Sequence, residues 1–407
     1  MNSRRKTTQP ISPARQPLFS AAESEVLTGL VARLPSWFRD NARDLPWRHT
    51  FDPYGIWVAE IMLQQTQVAT VIPYWERWMR ELPTIADLAR ADPERVLKLW
   101  EGLGYYSRAR NLHKAAAMIV ECTGGMLPPD PELIARLPGV GPYTLGAICS
   151  IAFGLPTPLV DGNVARVIAR VMGIQEDVRS KVGQERLWSA AAQMVMEAAR
   201  NGAHGRLREP RPGQRHPAGD FNESLMELGA TVCTAMSPSC SLCPAAAVCF
   251  AAKMGRVDQF PVVGERVKPS KKHVVALWLR DQHGNFAIRQ RPEEGVNAGL
   301  WELPCVEVSP RLRRSGLRDL VTQTDLKLSA APEFRFTVKH AITRYRIQMD
   351  VFEARAEGLE PATDGFRLRW VSVGEGLKLA FASAHRRAIE QLVEASGMSL
   401  DSSEAIG

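Results

Sequence analysis

Apolar residues recur at helical spacing over 26–38, 56–72, 74–82, 95–103, 112–122 and 187–198, which predicts a helix with one buried face in each stretch. A further helix is predicted over 164–172. Pro and Gly punctuate the pattern at Leu45-Pro46, Gly124-Gly125, Pro128-Pro129 and Pro138-Gly139. Residues 200–219 are basic, rich in Gly and Pro and lack apolar periodicity, so they predict a mobile loop. The texture changes over 259–272, where Pro261, Pro269, Lys268, Lys271 and Lys272 suggest a linker. Beyond it, 274–278 and 286–289 flank a turn at 281–285 and predict a hairpin; 345–352 and 366–373 predict strands, and 382–393 a helix. The expected organisation is a disordered basic tail (1–20), a helical domain (21–255), a linker (256–272), a smaller α+β domain (273–395) and a polar tail (396–407). No fixed-period repeat appears.

Composition narrows the class. The chain has 407 residues, 45% apolar and 23% charged, which excludes collagen-like, low-complexity and disulfide-scaffold proteins. No stretch approaches about 18 apolar residues, so no membrane span is expected. The first twenty residues are basic and rich in Pro, Ser and Thr, without the apolar core of a secretory signal. Their lack of acids leaves a mitochondrial transit peptide as the alternative to a disordered tail. The expected place is the cytoplasm of a bacterium, at the nucleoid. Lys and Arg exceed Asp and Glu by seven, which favours a polyanionic partner such as nucleic acid.

Three of the seven cysteines, Cys122, Cys149 and Cys305, stand among apolar neighbours and read as buried thiols. The others crowd together as Cys233-x6-Cys240-x2-Cys243-x5-Cys249. In a reducing compartment this pattern points to metal rather than disulfides. Four thiolates so close in sequence suit a [4Fe–4S] cluster; zinc, whose ligands usually pair two to four residues apart, is the alternative.

Other candidate chemistry lies in four segments. Leu137-Pro138-Gly139-Val140-Gly141-Pro142-Tyr143-Thr144 joins two helical patterns; Gly139 and Gly141 permit a tight hairpin whose N–H groups, with the following helix dipole, can take a phosphate. Asp161 opens the helix 164–172, either as a simple N-cap or as a carboxylate facing a developing cation. On 56–72, Glu60, Gln64 and Gln67 fall at i, i+4 and i+7 as a polar face beside the stripe Trp57, Ile61, Val68 and Ile72. Glu60 is then either a surface residue or, among Trp, Val, Ile and Met, an acid with a raised pKa. Two carboxylates in different environments would give one protonated acid and one ionised stabiliser. Finally, Gly104-Tyr105-Tyr106-Ser107-Arg108-Ala109-Arg110 interleaves aromatic and basic residues. Such aromatics can wedge between bases while Arg108 and Arg110 take phosphates, unless the tyrosines are core and the cations solvated.

Together these motifs resemble the adenine DNA glycosylases of the MutY type, within the helix–hairpin–helix glycosylases that carry an iron–sulfur cluster. The resemblance runs from about residue 40 to 249, carried by 60–67, 102–114, 137–141, 161–164 and the cysteine spacing, with a weaker match from 274 onward. It implies an all-α catalytic domain, with a six-helix module over about 45–155 and a cluster module from 21–44 and 156–255, followed by an α+β Nudix-like domain. It implies removal of adenine mispaired with 8-oxoguanine or guanine in double-stranded DNA, by a protein expected to be monomeric and free of membrane. By the same resemblance Glu60 protonates N7 of the leaving adenine, and Asp161 stabilises the sugar oxocarbenium ion, directly or through a covalent intermediate. Tyr143 places a hydroxyl near both, where lyase relatives carry the Lys that forms a Schiff base, so base excision without strong lyase activity is implied. Glu223 accepts from the adenine amino group, and Leu45, Trp47, Arg48 and Met226 wall the pocket. Gln65 and Tyr105 enter the duplex beside the oxidised guanine.

The chain departs from that family in three places. Residues 234–239 lack the usual basic residues, and 200–219 is longer than usual. The lesion-reading Phe-Ser-His appears as Ile342-Thr343-Arg344, where Thr343 keeps a hydroxyl and Arg344 a cation. The C-terminal domain also lacks the clustered glutamates of a nucleotide hydrolase. A thymine- or uracil-mismatch glycosylase and a catalytically silent DNA-binding redox sensor are the competing readings. Glu223 with the Nudix-like domain argues against the first, and intact Glu60 and Asp161 against the second.

Overall fold

The computed structural model describes residues 19–50, 52–202, 215–264, 269–292, 295–309, 313–324, 327–342, 344–357 and 368–396. Among these the helices are α1 (Ala21–Asn41), α2 (Pro53–Leu63), α3 (Val68–Glu81), α4 (Ile85–Arg90), α5 (Pro93–Leu99), α6 (Ser107–Thr123), α7 (Pro131–Arg136), α8 (Pro142–Ala147), α9 (Gly162–Met172), α10 (Lys181–Gly202), α11 (Pro217–Thr231), α12 (Phe250–Lys253), α13 (Arg313–Thr324), α14 (Val373–Lys378) and α15 (Ser383–Ala395). The strands are β1 (Ser270–Arg280), β2 (Phe286–Gln290), β3 (Trp301–Glu302), β4 (Cys305–Val308), β5 (Lys327–Leu328), β6 (Glu333–Ile342), β7 (Tyr345–Glu357) and β8 (Leu368–Val371). No helix among the described residues is long and apolar enough to cross a membrane.

The contacts divide the chain into two compact units, and the division does not follow the expected domain boundary. One unit runs to Glu60 and resumes over Leu127–Gly264; the other joins Ile61–Met126 to the C-terminal region. In the first unit, apolar faces of α1, α9, α10 and α11 meet around Leu27, Leu30, Leu34, Val167, Leu187, Met194, Phe221 and Leu225, all buried. A capping box fixes the start of α1, where the Ser20 hydroxyl accepts from Glu23 N–H and the Glu23 carboxylate accepts from Ser20 N–H. The expected linker begins later than residue 256. Phe260 is buried in this core, Val178 N–H donates to the Val262 carbonyl at 3.1 Å, and Gly264 N–H to Asp177 at 2.9 Å.

In the second unit β1 pairs in parallel with β7 along its whole length, while the other pairings of the mixed sheet are antiparallel. Strand β1 is buried on both faces. Ala276 and Trp278 share a core with α15 residues Ala388, Ile389 and Leu392, while Val275, Leu277 and Leu279 share the opposite core with Leu320 of α13. This domain is tied to the helices of its unit through Glu101. That carboxylate takes Arg386 at 2.8 Å, Lys98 at 2.6 Å and the Phe381 N–H at 3.0 Å. Tyr106 donates to the Phe381 carbonyl at 3.2 Å.

Three expectations need correction. Cys122, in the last turn of α6, is exposed, while Cys149 and Cys305 are buried as expected. The predicted helix over 56–72 is broken: α2 ends at Leu63, Gln65 adopts a left-handed φ of 57°, and Gln67 opens α3, which also absorbs 74–81. Periodicity alone cannot register such a break, because the apolar spacing continues through it. The loop over 200–219 is also shorter. Helix α10 continues to Gly202 and α11 begins at Pro217, while 203–214 lie outside the described residues.

Candidate active site and cysteine cluster

Glu60 sits on α2, 4% exposed, with its Oε2 accepting from the Tyr143 hydroxyl at 2.7 Å. Burial pushes its carboxyl up to about 7; the Tyr143 hydrogen bond opposes this, the charges of Glu223 and Asp161 add to it, and Arg48 partly offsets them. Tyr143 is the second residue of α8, just past the hairpin in which Gly139 takes a φ of 82°. Burial, then Glu60 and Asp161, hold its phenol well above its ordinary value, so it stays a donor. Gly146, a turn later, has no room for a side chain, because a Cβ there would lie 2.0 Å from the Pro158 carbonyl oxygen. That close approach sets α8 directly against the segment leading to Asp161. The Tyr143 hydroxyl also lies 3.9 Å from the Met226 sulfur.

Asp161 is the N-cap of α9, its Oδ1 accepting from Val164 N–H at 2.7 Å and its Oδ2 from the Asn163 side chain at 3.2 Å. Burial raises its carboxyl, and the N–H groups of Val164 and Asn163 act against that rise. Asp161 is thus a helix N-cap, and its charge is near enough to act on Glu60.

The pocket is completed from α11 and the turn Pro46–Arg48. Leu45 and Trp47 are buried, and Arg48 Nε donates to Glu223 at 3.1 Å while packing over the Phe38 ring. Burial pushes the Glu223 carboxyl up, against Arg48 and Arg215. Glu227, one turn beyond Glu223, escaped sequence reasoning. It is fully buried and receives Arg43 at 2.7 Å and Arg48 at 2.8 Å. Burial would raise its carboxyl, but the two guanidinium groups outweigh that and hold it down to about 2. Glu223 and Glu227 at i, i+4 were a visible signal, yet such a pair ordinarily marks a solvated face.

Cys233, Cys240, Cys243 and Cys249 line a single cavity with Val167, Arg170 and Leu228. All four are free thiols, and burial pushes Cys243 up to about 11. Arg170, almost fully buried on α9, donates to the Cys233 sulfur at 3.4 Å and to the Thr234 carbonyl at 2.7 Å. Arg166, one turn earlier, donates to the Cys233 carbonyl at 2.8 Å. Neither arginine was picked out from the sequence.

The residues expected at DNA divide. Gln65 and Tyr105 are exposed, and both adopt left-handed backbone conformations, φ 57° and 46°. Gly141 N-caps α8 with open space around its Cα. Arg344 is exposed and donates to the Tyr345 hydroxyl at 3.1 Å, whereas Thr343 lies outside the described residues. Arg108 must be corrected: it is buried, and its guanidinium is spent on the protein's own carbonyls rather than offered to phosphate. Arg110 likewise donates to the Ala298 carbonyl, at 2.5 Å.

Comparison with known proteins agrees with this geometry. Residues 58–193, which hold Glu60, Tyr143 and Asp161, match the HhH-GPD superfamily of base excision DNA repair proteins. Residues 275–391, the mixed sheet and its helices, match the NUDIX domain. The human adenine DNA glycosylase is 37% identical over 394 residues, covering 83% of this chain and 69% of that protein. The Rattus norvegicus adenine DNA glycosylase is 35% identical, covering 93% and 80%. That of Buchnera aphidicola subsp. Acyrthosiphon pisum is 31% identical, covering 66% and 72%. With an HhH-GPD match over 58–193, a NUDIX match over 275–391 and adenine DNA glycosylases up to 37% identical over most of its length, this chain belongs to the adenine DNA glycosylases.

Proposed function

We propose that this DNA glycosylase hydrolyses the N-glycosidic bond of adenine mispaired with 8-oxoguanine, or with guanine, and leaves the DNA strand intact. The observation that carries the reading is the joining of Glu60, Tyr143 and Asp161 in one pocket. A carboxyl raised to about 7 is protonated in a large fraction of molecules at neutral pH and can give that proton to N7 of the leaving base. Asp161, held by two N–H donors, supplies negative charge as the sugar becomes cationic. The Tyr143 phenol keeps Glu60 oriented and is a poor route to an imine, which supports base release without strand cleavage. Glu223 is suited to accept from the adenine amino group, with Arg48, Leu45, Trp47 and Met226 as the pocket wall. The hairpin at Gly139 and Gly141 takes a backbone phosphate, and Gln65 and Tyr105 enter the duplex. Thr343 and Arg344 contact the oxidised guanine, whose N7–H and C8 oxygen distinguish it from guanine.

The four cysteines would hold a [4Fe–4S] cluster, with Arg170 beside Cys233 offsetting the charge of the thiolates. The four cysteines line one cavity, and their spacing along the chain suits a cubane better than the tighter ligand pairs usual for zinc. Such a cluster supplies a structural brace and no step of bond breaking. The test is single-turnover incubation with duplexes carrying A opposite 8-oxoguanine, A opposite G and T opposite G, scoring base release and strand scission separately. Fastest release from the first, slower from the second, none from the third and no scission before alkali are expected; efficient scission, or release of thymine, would overturn the reading.

A further inference from the structure

Two loops of the second unit each carry a non-glycine residue in the left-handed region. Gln65 lies between α2 and α3, and Tyr105 between α5 and α6. Such conformations cost free energy and persist only where surrounding structure over-determines them. One side chain does that for both. Arg108 Nη1 donates to the carbonyls of Ile61 at 3.0 Å, Met62 at 2.8 Å and Gln64 at 2.6 Å. Its Nη2 donates to the Thr66 hydroxyl at 3.2 Å and to the carbonyls of Leu103 at 2.9 Å and Gly104 at 3.0 Å. Ile61 and Met62 belong to the C-terminal turn of α2, which stops at Leu63, and Gln64 follows directly after it. The guanidinium lies between the rings of Trp100, at 5.2 Å, and Tyr105, at 5.7 Å. The Trp100 indole N–H adds a bond to the Gly104 carbonyl at 3.1 Å.

We propose that Arg108 is a positioning residue for mispair recognition, a buried bracket that locks the Gln65 and Tyr105 loops into the one arrangement that presents both side chains to the duplex together. Only a planar group with donors spread along two edges can reach both loops at once, so lysine cannot replace it. The inference rests on the reading that Gln65 and Tyr105 enter DNA, and the experiment separates the two.

Equilibrium binding to an A:8-oxoguanine duplex and to a fully paired duplex is measured across a salt series for wild type, Arg108→Lys, Gln65→Ala and Tyr105→Ala. Arg108→Lys should weaken mispair binding at least about tenfold, the scale of losing hydrogen bonds to a charged group. Its affinity for paired duplex and its salt slope should stay those of wild type, because no phosphate contact is lost and the charge is kept. Amide exchange at 63–66 and 103–106 should quicken together. Arg108→Met should leave the salt slope unchanged as well; a slope shallower by about one would mark a phosphate ligand and overturn the proposal. So would wild-type mispair binding by Arg108→Lys alongside weakened binding by Gln65→Ala and Tyr105→Ala. If those two alanine variants bind the mispair like wild type, the reading of the loops themselves fails instead. Should Arg108→Lys not fold, Thr66→Val, which removes one contact from the first loop, should show a smaller loss in the same direction; undiminished mispair binding would overturn the bracket.

Discussion

Glu60 in the helical pocket and Glu302 in the mixed sheet are equally buried glutamates with opposite chemistry. Glu302 is 1% exposed; Arg289 lies 2.7 Å from it, Arg291 pairs with its other oxygen, and His385 stands at 3.6 Å. Burial would raise its carboxyl, but His385, Arg289 and Arg291 overcome that and lower it. Glu60 has a phenol where Glu302 has guanidinium groups, and it rises to about 7. Burial alone therefore does not keep a carboxyl protonated; burial with the counter-ions kept at a distance does. The same contrast disposes of Glu302, Cys305 and His385 as a cation site. Their donor atoms converge, yet two arginines already satisfy the carboxylate.

The contrast can be broken from either side. The largest effect should come from Glu60→Gln, which keeps shape and loses the proton; single-turnover excision should fall by about 10²–10⁴ while mispair binding persists. Glu302→Gln should leave excision chemistry unchanged but cost about 3–5 kcal/mol of stability, since Arg289 and Arg291 are left in the core without their charge partner. Urea unfolding followed at Trp278 and its neighbours would measure it.

pH sharpens the comparison, because the two regions respond with opposite sign. Glu60 binds its proton more tightly folded than unfolded. Its contribution is complete below the ordinary glutamate value near 4.5 and is lost as pH rises through about 7. His385 is the reverse: burial, against the attraction of Glu302, depresses it to about 4, and Leu303 N–H donating to its Nδ1 fits a neutral ring. Its contribution is complete above 6.5 and is lost as pH falls toward 4. Glu60→Gln should therefore be more stable than wild type at pH 8, by an amount of order 1–3 kcal/mol, with the difference gone by pH 4. The smallest effect is expected from Tyr143→Phe. Its hydroxyl favours the charged form of Glu60, so removing it should move the alkaline fall of the excision rate to higher pH, by up to about one pH unit. A shift to lower pH would show that the phenol favours the protonated acid instead.

What could be read from the sequence was local. Glu60, Asp161 and the cysteines sit in short patterns whose candidate chemistry follows from residue type and spacing, whereas Tyr143 stood out only through the family resemblance. What was missed depends on contacts from far along the chain. The break after Leu63 is satisfied by Arg108, more than forty residues on, and a basic residue beside two tyrosines looked like a phosphate ligand. The end of the helical unit was placed too early because Gly264 is held by Asp177, a tie no composition change announces. Arg166 and Arg170, which no local pattern singles out, hold the loop that carries Cys233.

The knot of contacts at Glu101 bears on how this protein can be taken apart and how it can change. Arg386 and Lys98 share not only that carboxylate but also the carbonyls of Leu377 and Leu379, so removal of the Nudix-like domain would uncover a carboxylate, an ammonium and the Tyr106 hydroxyl together. A truncation before β1 would therefore damage the helices that flank the Tyr105 loop as well as delete the C-terminal domain, and a change of selectivity in such a fragment would have two causes. A chimera that exchanges the C-terminal domain between relatives should succeed only when 61–126 travels with it. Lys98, Glu101 and Arg386 form one ion-pair cluster, joined across a stretch of chain that a recombination at residues 265–269 would separate.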